Sequence, residues 1–88
     1  MENKCYVVVY YYYDDDYNES GYKILGVYST REKAQAKMKD KVEIIEHKNT
    51  IDGKLCFDHK EEARHYVYFY NDEDSTQETV MIHEKYLV

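Results

Sequence analysis

Eighty-eight residues with a formal net charge of −6 hold one core, because two cores could not each bury enough apolar surface to offset the chain entropy lost on folding. The acidic balance opposes attraction to phosphate backbones and argues against nucleic acid as a direct ligand. The two cysteines, Cys5 and Cys56, are too few for a secreted disulfide framework. No apolar run approaches the ~20 residues of a membrane helix, and Met1 to Lys4 leads straight into a tyrosine-rich stretch with no signal-peptide pattern, so a cytosolic protein is expected.

Cys5 to Tyr13 is β-branched and aromatic throughout and ends against Asp14, Asp15 and Asp16, so it reads as a strand that is apolar on both faces. Residues 14–21 are a polar turn, and Tyr22 to Tyr28 is a second strand, giving an antiparallel hairpin. Ser29-Thr30-Arg31-Glu32 has the spacing of a capping box with Ser29 as the cap. Beyond it Ala34, Met38, Val42 and Ile45 form one apolar stripe. The pattern from Val42 to Glu46 also admits a short strand, but the longer helix, ending near residues 47–49, is expected.

Ile51-Asp52-Gly53-Lys54 is a turn signal, and residues 55–57 are a short extended connection. Arg64 to Tyr70 reads as a third strand, residues 71–77 as an acidic loop, and Glu78 to Leu87 as a fourth strand. The expected fold is a single α+β domain over residues 1–88, ordered β-β-α-β-β, with an antiparallel four-stranded sheet and one helix on one face.

Alternation sets the two faces of that sheet. In the third strand His65, Val67 and Phe69 point one way, and Tyr66, Tyr68 and Tyr70 the other. In the first strand Val7 and Val9 oppose Tyr6, Val8, Tyr10 and Tyr12. A single helix covers one face, so packing on the valine side leaves a tyrosine side too apolar to stay wet without a reason. Such a face is tolerated as it stands, pairs with a second copy, or binds a dedicated partner. A homodimer also supplies burial that so short a chain lacks. The expected contact residues are Tyr6, Tyr10, Tyr12, Tyr66, Tyr68 and Tyr70, together with the hairpin carboxylates Asp14, Asp15, Asp16, Asp72, Glu73 and Asp74.

Catalytic and metal chemistry find little support. Asp14, Asp16 and Asn18 start like a calcium loop, but Glu19 stands where the loop glycine belongs and Leu25 where the bidentate glutamate belongs. Cys56, His59, His65 and His83 match no standard zinc spacing, and a Cys56–His59 nucleophile pair has no further motif behind it. With no phosphate-binding glycine loop either, no cofactor, no metal and no enzymatic activity are expected. Aromatic rings on an open sheet also stack RNA bases, but the acidic loops oppose that reading. Carboxylates at two hairpin tips instead imitate a row of phosphates, suited to a basic, nucleic-acid-binding protein partner.

The stretch YKILGVYSTREKA, Tyr22 to Ala34, resembles a loose group of small phage and bacterial proteins carrying a G-V-[YF]-S-[ST]-x-E-K-A segment. The likeness covers about the first forty residues and implies a strand, a capped helix start and a core alanine. In its small, acidic, cysteine-poor character the chain is similar to phage proteins that inhibit host defence complexes, anti-CRISPR proteins among them. The resemblance implies an inhibitor or modulator of a host defence factor. A dimeric small-molecule-binding domain with a tyrosine-lined pocket is the alternative.

Overall fold

Branched and aromatic side chains fit a pleated surface better than a helix, and the run of them that opens the chain forms its longest strand. The computed structural model describes residues 3–14, 19–72 and 75–87. In it β1 (Asn3–Asp14) is followed by β2 (Glu19–Tyr28), α1 (Arg31–Lys48), β3 (Thr50–Ile51), β4 (Lys54–Leu55), β5 (His59–Glu62), β6 (Tyr66–Tyr70) and β7 (Gln77–Leu87). The main sheet is antiparallel with strand order β2-β1-β7-β6-β5. One helix on a mostly antiparallel sheet is the expected α+β arrangement, but the sheet has five strands, not four, and β3 and β4 form a separate two-stranded hairpin.

Both additions lie in the stretch read as polar connection. β5 is His-Lys-Glu-Glu, with no hydrophobic periodicity to betray it. It exists because β6 offers it an unpaired edge, and its charges keep that outer edge from pairing further. The small hairpin follows from Asp52-Gly53, whose φ angles of 52° and 77° are the paired positive values that a two-residue turn of the primed type requires.

The helix runs as its stripe indicates, with Ala34, Met38, Val42 and Ile45 all buried. Its cap is Thr30, not Ser29: the Thr30 hydroxyl accepts from the Lys33 amide at 3.3 Å, one residue later than the capping-box reading places it. Asn49 closes the far end, its side-chain amide donating to the Ile45 carbonyl at 2.7 Å. Beneath the stripe lie Val8, Val67, Phe69, Val80 and Ile82, the sheet's share of the core.

Register decides which tyrosines share that covered side. Val8 stands opposite Ile82, Val80 opposite both Tyr10 and Val67, and Glu78 opposite Phe69. Tyr6, Val8, Tyr10 and Tyr12 therefore lie on the helix side with Val67 and Phe69, while Val7, Val9 and Tyr11 share the open side with Tyr66, Tyr68 and Tyr70. The expected grouping of Tyr6, Tyr10 and Tyr12 with the β6 tyrosines is thus corrected by one residue of register. The physical reason is visible around Val8. The small valine sits directly under α1, and the larger Tyr6 and Tyr10 flank it where their hydroxyls reach Glu84 at 3.4 Å and Glu78.

Two layers make a flat molecule of 48 × 28 × 17 Å with a radius of gyration of 14.3 Å, against about 12 Å for a compact domain of this length. The accessible surface is 6426 Å², roughly 900 Å² above the scaling value for a compact monomer of this mass.

Candidate functional site

The helix-free face carries several of the exposed apolar side chains. At its middle, Val9 is buried, paired with Met81 on one side and Ile24 on the other. Around it the exposed apolar side chains collect on β2, where Tyr22 is 70% exposed, Ile24 58% and Val27 61%. Across the sheet, Tyr68 and Tyr70 stack at 6.2 Å between ring centroids, and His59 continues the stack from Tyr70 at 5.9 Å. Desolvation pushes the Tyr68 phenol above the usual tyrosine range. A shallow depression of about 380 Å³ runs past Tyr66, Tyr68, Thr79 and Met81.

Charge is almost absent from this face. Among the described strand positions pointing to it, Glu61 supplies the carboxylate and Lys85 the ammonium. Two pairs of polar groups there are matched to each other: the Tyr11 hydroxyl meets His83 Nε2 at 2.9 Å, and the Tyr66 hydroxyl donates to Glu61 at 3.2 Å. A chain with a net charge of −6 thus carries a nearly neutral aromatic plane, the kind of surface that is desolvated at little cost.

The strand ends that lead into the acidic stretches meet at one end of the sheet, since Tyr13 and Tyr70 both stand opposite Gln77. Asp14 and Asp72 flank that end. Asp72 accepts from His59 Nε2 at 2.8 Å, a contact that, with the Asp72 and Asp58 charges, raises the His59 pKa above its ordinary value. Asp15, Asp16, Glu73 and Asp74, also expected at the partner surface, lie outside the described residues.

Tyr10 and Tyr12 belong elsewhere. Tyr10 donates to Glu78 beneath the Lys41 ammonium, which lies 4.3 Å from the ring centroid. Burial first, and then Glu78, push this phenol far above the usual range. Burial lowers the pKa of Lys41, with Lys48 adding to the effect. The Tyr12 ring folds sideways over Gly21, where an added Cβ would come within 2.6 Å of the Tyr12 hydroxyl oxygen. Tyr10, Tyr12, Cys56, Phe57 and Glu78 line a cleft of about 370 Å³ at the C-terminal end of α1.

The remaining candidates scatter. Cys56 is exposed, Cys5 is half-buried, and both are free thiols. His83 sits on the open face against Tyr11, whereas His65 packs edge-on against Tyr66 in the turn before β6. Among the described residues no three such side chains gather to hold a metal ion. Of the calcium-loop candidates, Asp16 and Asn18 lie outside the described residues, while Asp14 ends β1 and Glu19 and Leu25 lie in β2. No helix among the described residues is long and apolar enough to cross a membrane.

Met81, Tyr11, Ile24 and Val27 are site residues the sequence reading missed. The signal was the alternation Thr79-Met81-His83-Lys85 in the last strand, which becomes meaningful only once β7 is known to lie between β1 and β6. Residues 3–85 match the family described as a domain of unknown function, DUF7336, and the chain belongs to that family. No curated protein and no solved structure matches it.

Proposed function

We propose that this member of the DUF7336 family is a non-enzymatic interaction protein that pairs with a second copy of itself across the helix-free sheet face. In that pair the acidic sheet ends are offered to a basic protein partner. The observation that carries the reading is a broad aromatic face with almost no formal charge in a chain whose net charge is −6. Two identical acidic chains repel unless the surfaces they join are neutral, and this is the large surface that meets the condition. The strand pairings hold 9, 11, 5 and 4 residue pairs, which at about 3.3 Å per residue and 4.8 Å between strands is roughly 460 Å² of sheet plane, a small interface beside the ~800 Å² per partner of a standard one.

Carboxylates gathered at one sheet end favour a basic partner, and a nucleic-acid-binding protein whose phosphate channel they would occupy suits them best. Sedimentation velocity tests the pairing. The wild-type chain is expected to sediment as a dimer and Met81→Glu as a folded monomer. A wild-type monomer at high micromolar concentration overturns the proposal. A second reading, a small-molecule site, is favoured by the cleft beside Tyr10, where Tyr12, Phe57 and Glu78 converge within one protomer. Its test is a thermal shift in a metabolite screen that Tyr12→Ala abolishes.

A further inference from the structure

Arg31 and Arg64 are the chain's only arginines, and the fold brings both to one cleft. It lies on the helix side of the sheet, at the end away from Asp14 and Asp72, with a volume of about 360 Å³. Tyr6 and Ile82 contribute its apolar wall, and His65 and Glu84 complete the lining. Arg64 stands in the turn between β5 and β6, a turn held on two sides. The Ala63 amide donates to the Tyr66 carbonyl at 2.8 Å, and the Gln35 side chain of α1 donates to the Arg64 carbonyl at 3.3 Å. Arg31 rests 5.7 Å from the Tyr6 ring centroid and 3.7 Å from a Glu84 oxygen.

Glu84 is shared by Lys4 at 3.4 Å, by Arg31 and by the Tyr6 hydroxyl, so one carboxylate answers two cations. Among the described residues the Arg64 guanidinium has no ion-pair or hydrogen-bond partner. Among the described residues the carboxylates beside the two arginines are Glu84 and, in the adjoining groove, Glu32. Every other permanently cationic side chain is a lysine. Arginine differs from lysine in presenting a planar fork that binds two oxygens at once, which is worth having where an oxyanion is gripped and of little use on a solvated surface.

We propose that this cleft binds an organic phosphate, gripped between the Arg31 and Arg64 forks, with an apolar or aromatic body resting on Tyr6 and Ile82. A carboxylate offers one edge of two oxygens, enough for a single fork. A phosphate offers three terminal oxygens and nearly twice the charge, enough for both. The site is separate from the open face, so it stands or falls independently of pairing between copies.

The test is an NMR titration of the intact chain with phenyl phosphate, inorganic phosphate and benzoate, following the side-chain Nε–Hε signals of both arginines. Phenyl phosphate is expected to shift both signals saturably, and inorganic phosphate to do so more weakly. Arg64→Gln should weaken phenyl phosphate binding roughly tenfold or more. Arg64→Lys should recover part of it, and Lys23→Gln, on the distant β2 edge, should change nothing. An unchanged thermal midpoint in each variant separates loss of binding from loss of fold. No saturable shift, or an equal response in Arg64→Gln, overturns the site. Benzoate binding as tightly as phenyl phosphate overturns the phosphate assignment.

Discussion

The two faces of the sheet spend the same residue type in different ways. On the helix side, Tyr6 and Tyr10 flank Val8, press their rings against the core and hand their hydroxyls to Glu84 and Glu78 at the helix margins. On the open side, Tyr68 and Tyr70 stack on each other with no helix above them. A phenol is useful in both settings because its ring tolerates burial while its hydroxyl needs a partner or water. What separates a core tyrosine from an open-face tyrosine here is one residue of strand register, not composition.

That contrast breaks most decisively at Phe69, which is 0% exposed under the helix. Phe69→Ala should cost about 3–5 kcal/mol, a large share of the stability of a domain this small. In urea, followed by circular dichroism, the variant should be largely unfolded or shifted to a much lower midpoint. Tyr68→Ala, next to it in sequence but on the opposite face, should leave the protomer's own stability within about 1 kcal/mol. If the two variants unfold alike, the assignment of faces is wrong.

Met81→Glu sharpens the comparison from the open side. A carboxylate there would be desolvated only if another molecule covers it, at a cost of several kcal/mol. Sedimentation should therefore show association weakened by two or more orders of magnitude, with an unchanged urea midpoint at low concentration, where the wild type is also a monomer.

Tyr10→Phe tests the covered side more gently. Removing the hydroxyl leaves Glu78 without its donor and should cost about 1 kcal/mol at neutral pH. Because the Tyr10 pKa is raised on folding, its contribution is fully present below the ordinary phenol range and is lost as pH rises above it. Wild type should thus lose stability above about pH 10 more steeply than Tyr10→Phe, which has no proton to release there. Equal alkaline slopes would remove Glu78 and burial as the cause.

The smallest effect belongs to His59. Its pKa is raised by Asp72, so its stabilising contribution is complete below about pH 6.5 and fades as pH rises through the folded value. The pair is exposed, so the change in stability is slight. An NMR titration should show the His59 midpoint above that of a free histidine, and Asp72→Asn should bring it down.

Much of this architecture was legible in the residues. The stripe Ala34, Met38, Val42 and Ile45 marks both the helix and its buried side, because a period of four, four and three has one structural reading. Asp52-Gly53 marks a turn for a comparably local reason, though not the two short strands it joins. β5 was not legible, since its four polar residues are extended only because β6 needs a neighbour. Nor were the faces. β1 is apolar on both sides, so alternation along it carries no orientation, and the choice rests on pairings with β7 dozens of residues away. Half of the expected tyrosine surface, Tyr66, Tyr68 and Tyr70, was placed on the open face from the β6 pattern. The other half needed a register that no local signal specifies.

The central claim is that this open face meets its own copy. It is tested most directly by isotope-filtered NOEs in an equal mixture of carbon-13-labelled and unlabelled chain. Pairing through the sheet face requires contacts between chains from the Met81 and Ile24 methyl groups to Tyr11 and Tyr68 rings, all lost in Met81→Glu. Contacts between chains confined to the exposed helix residue Ile44, or none at millimolar concentration, would contradict it.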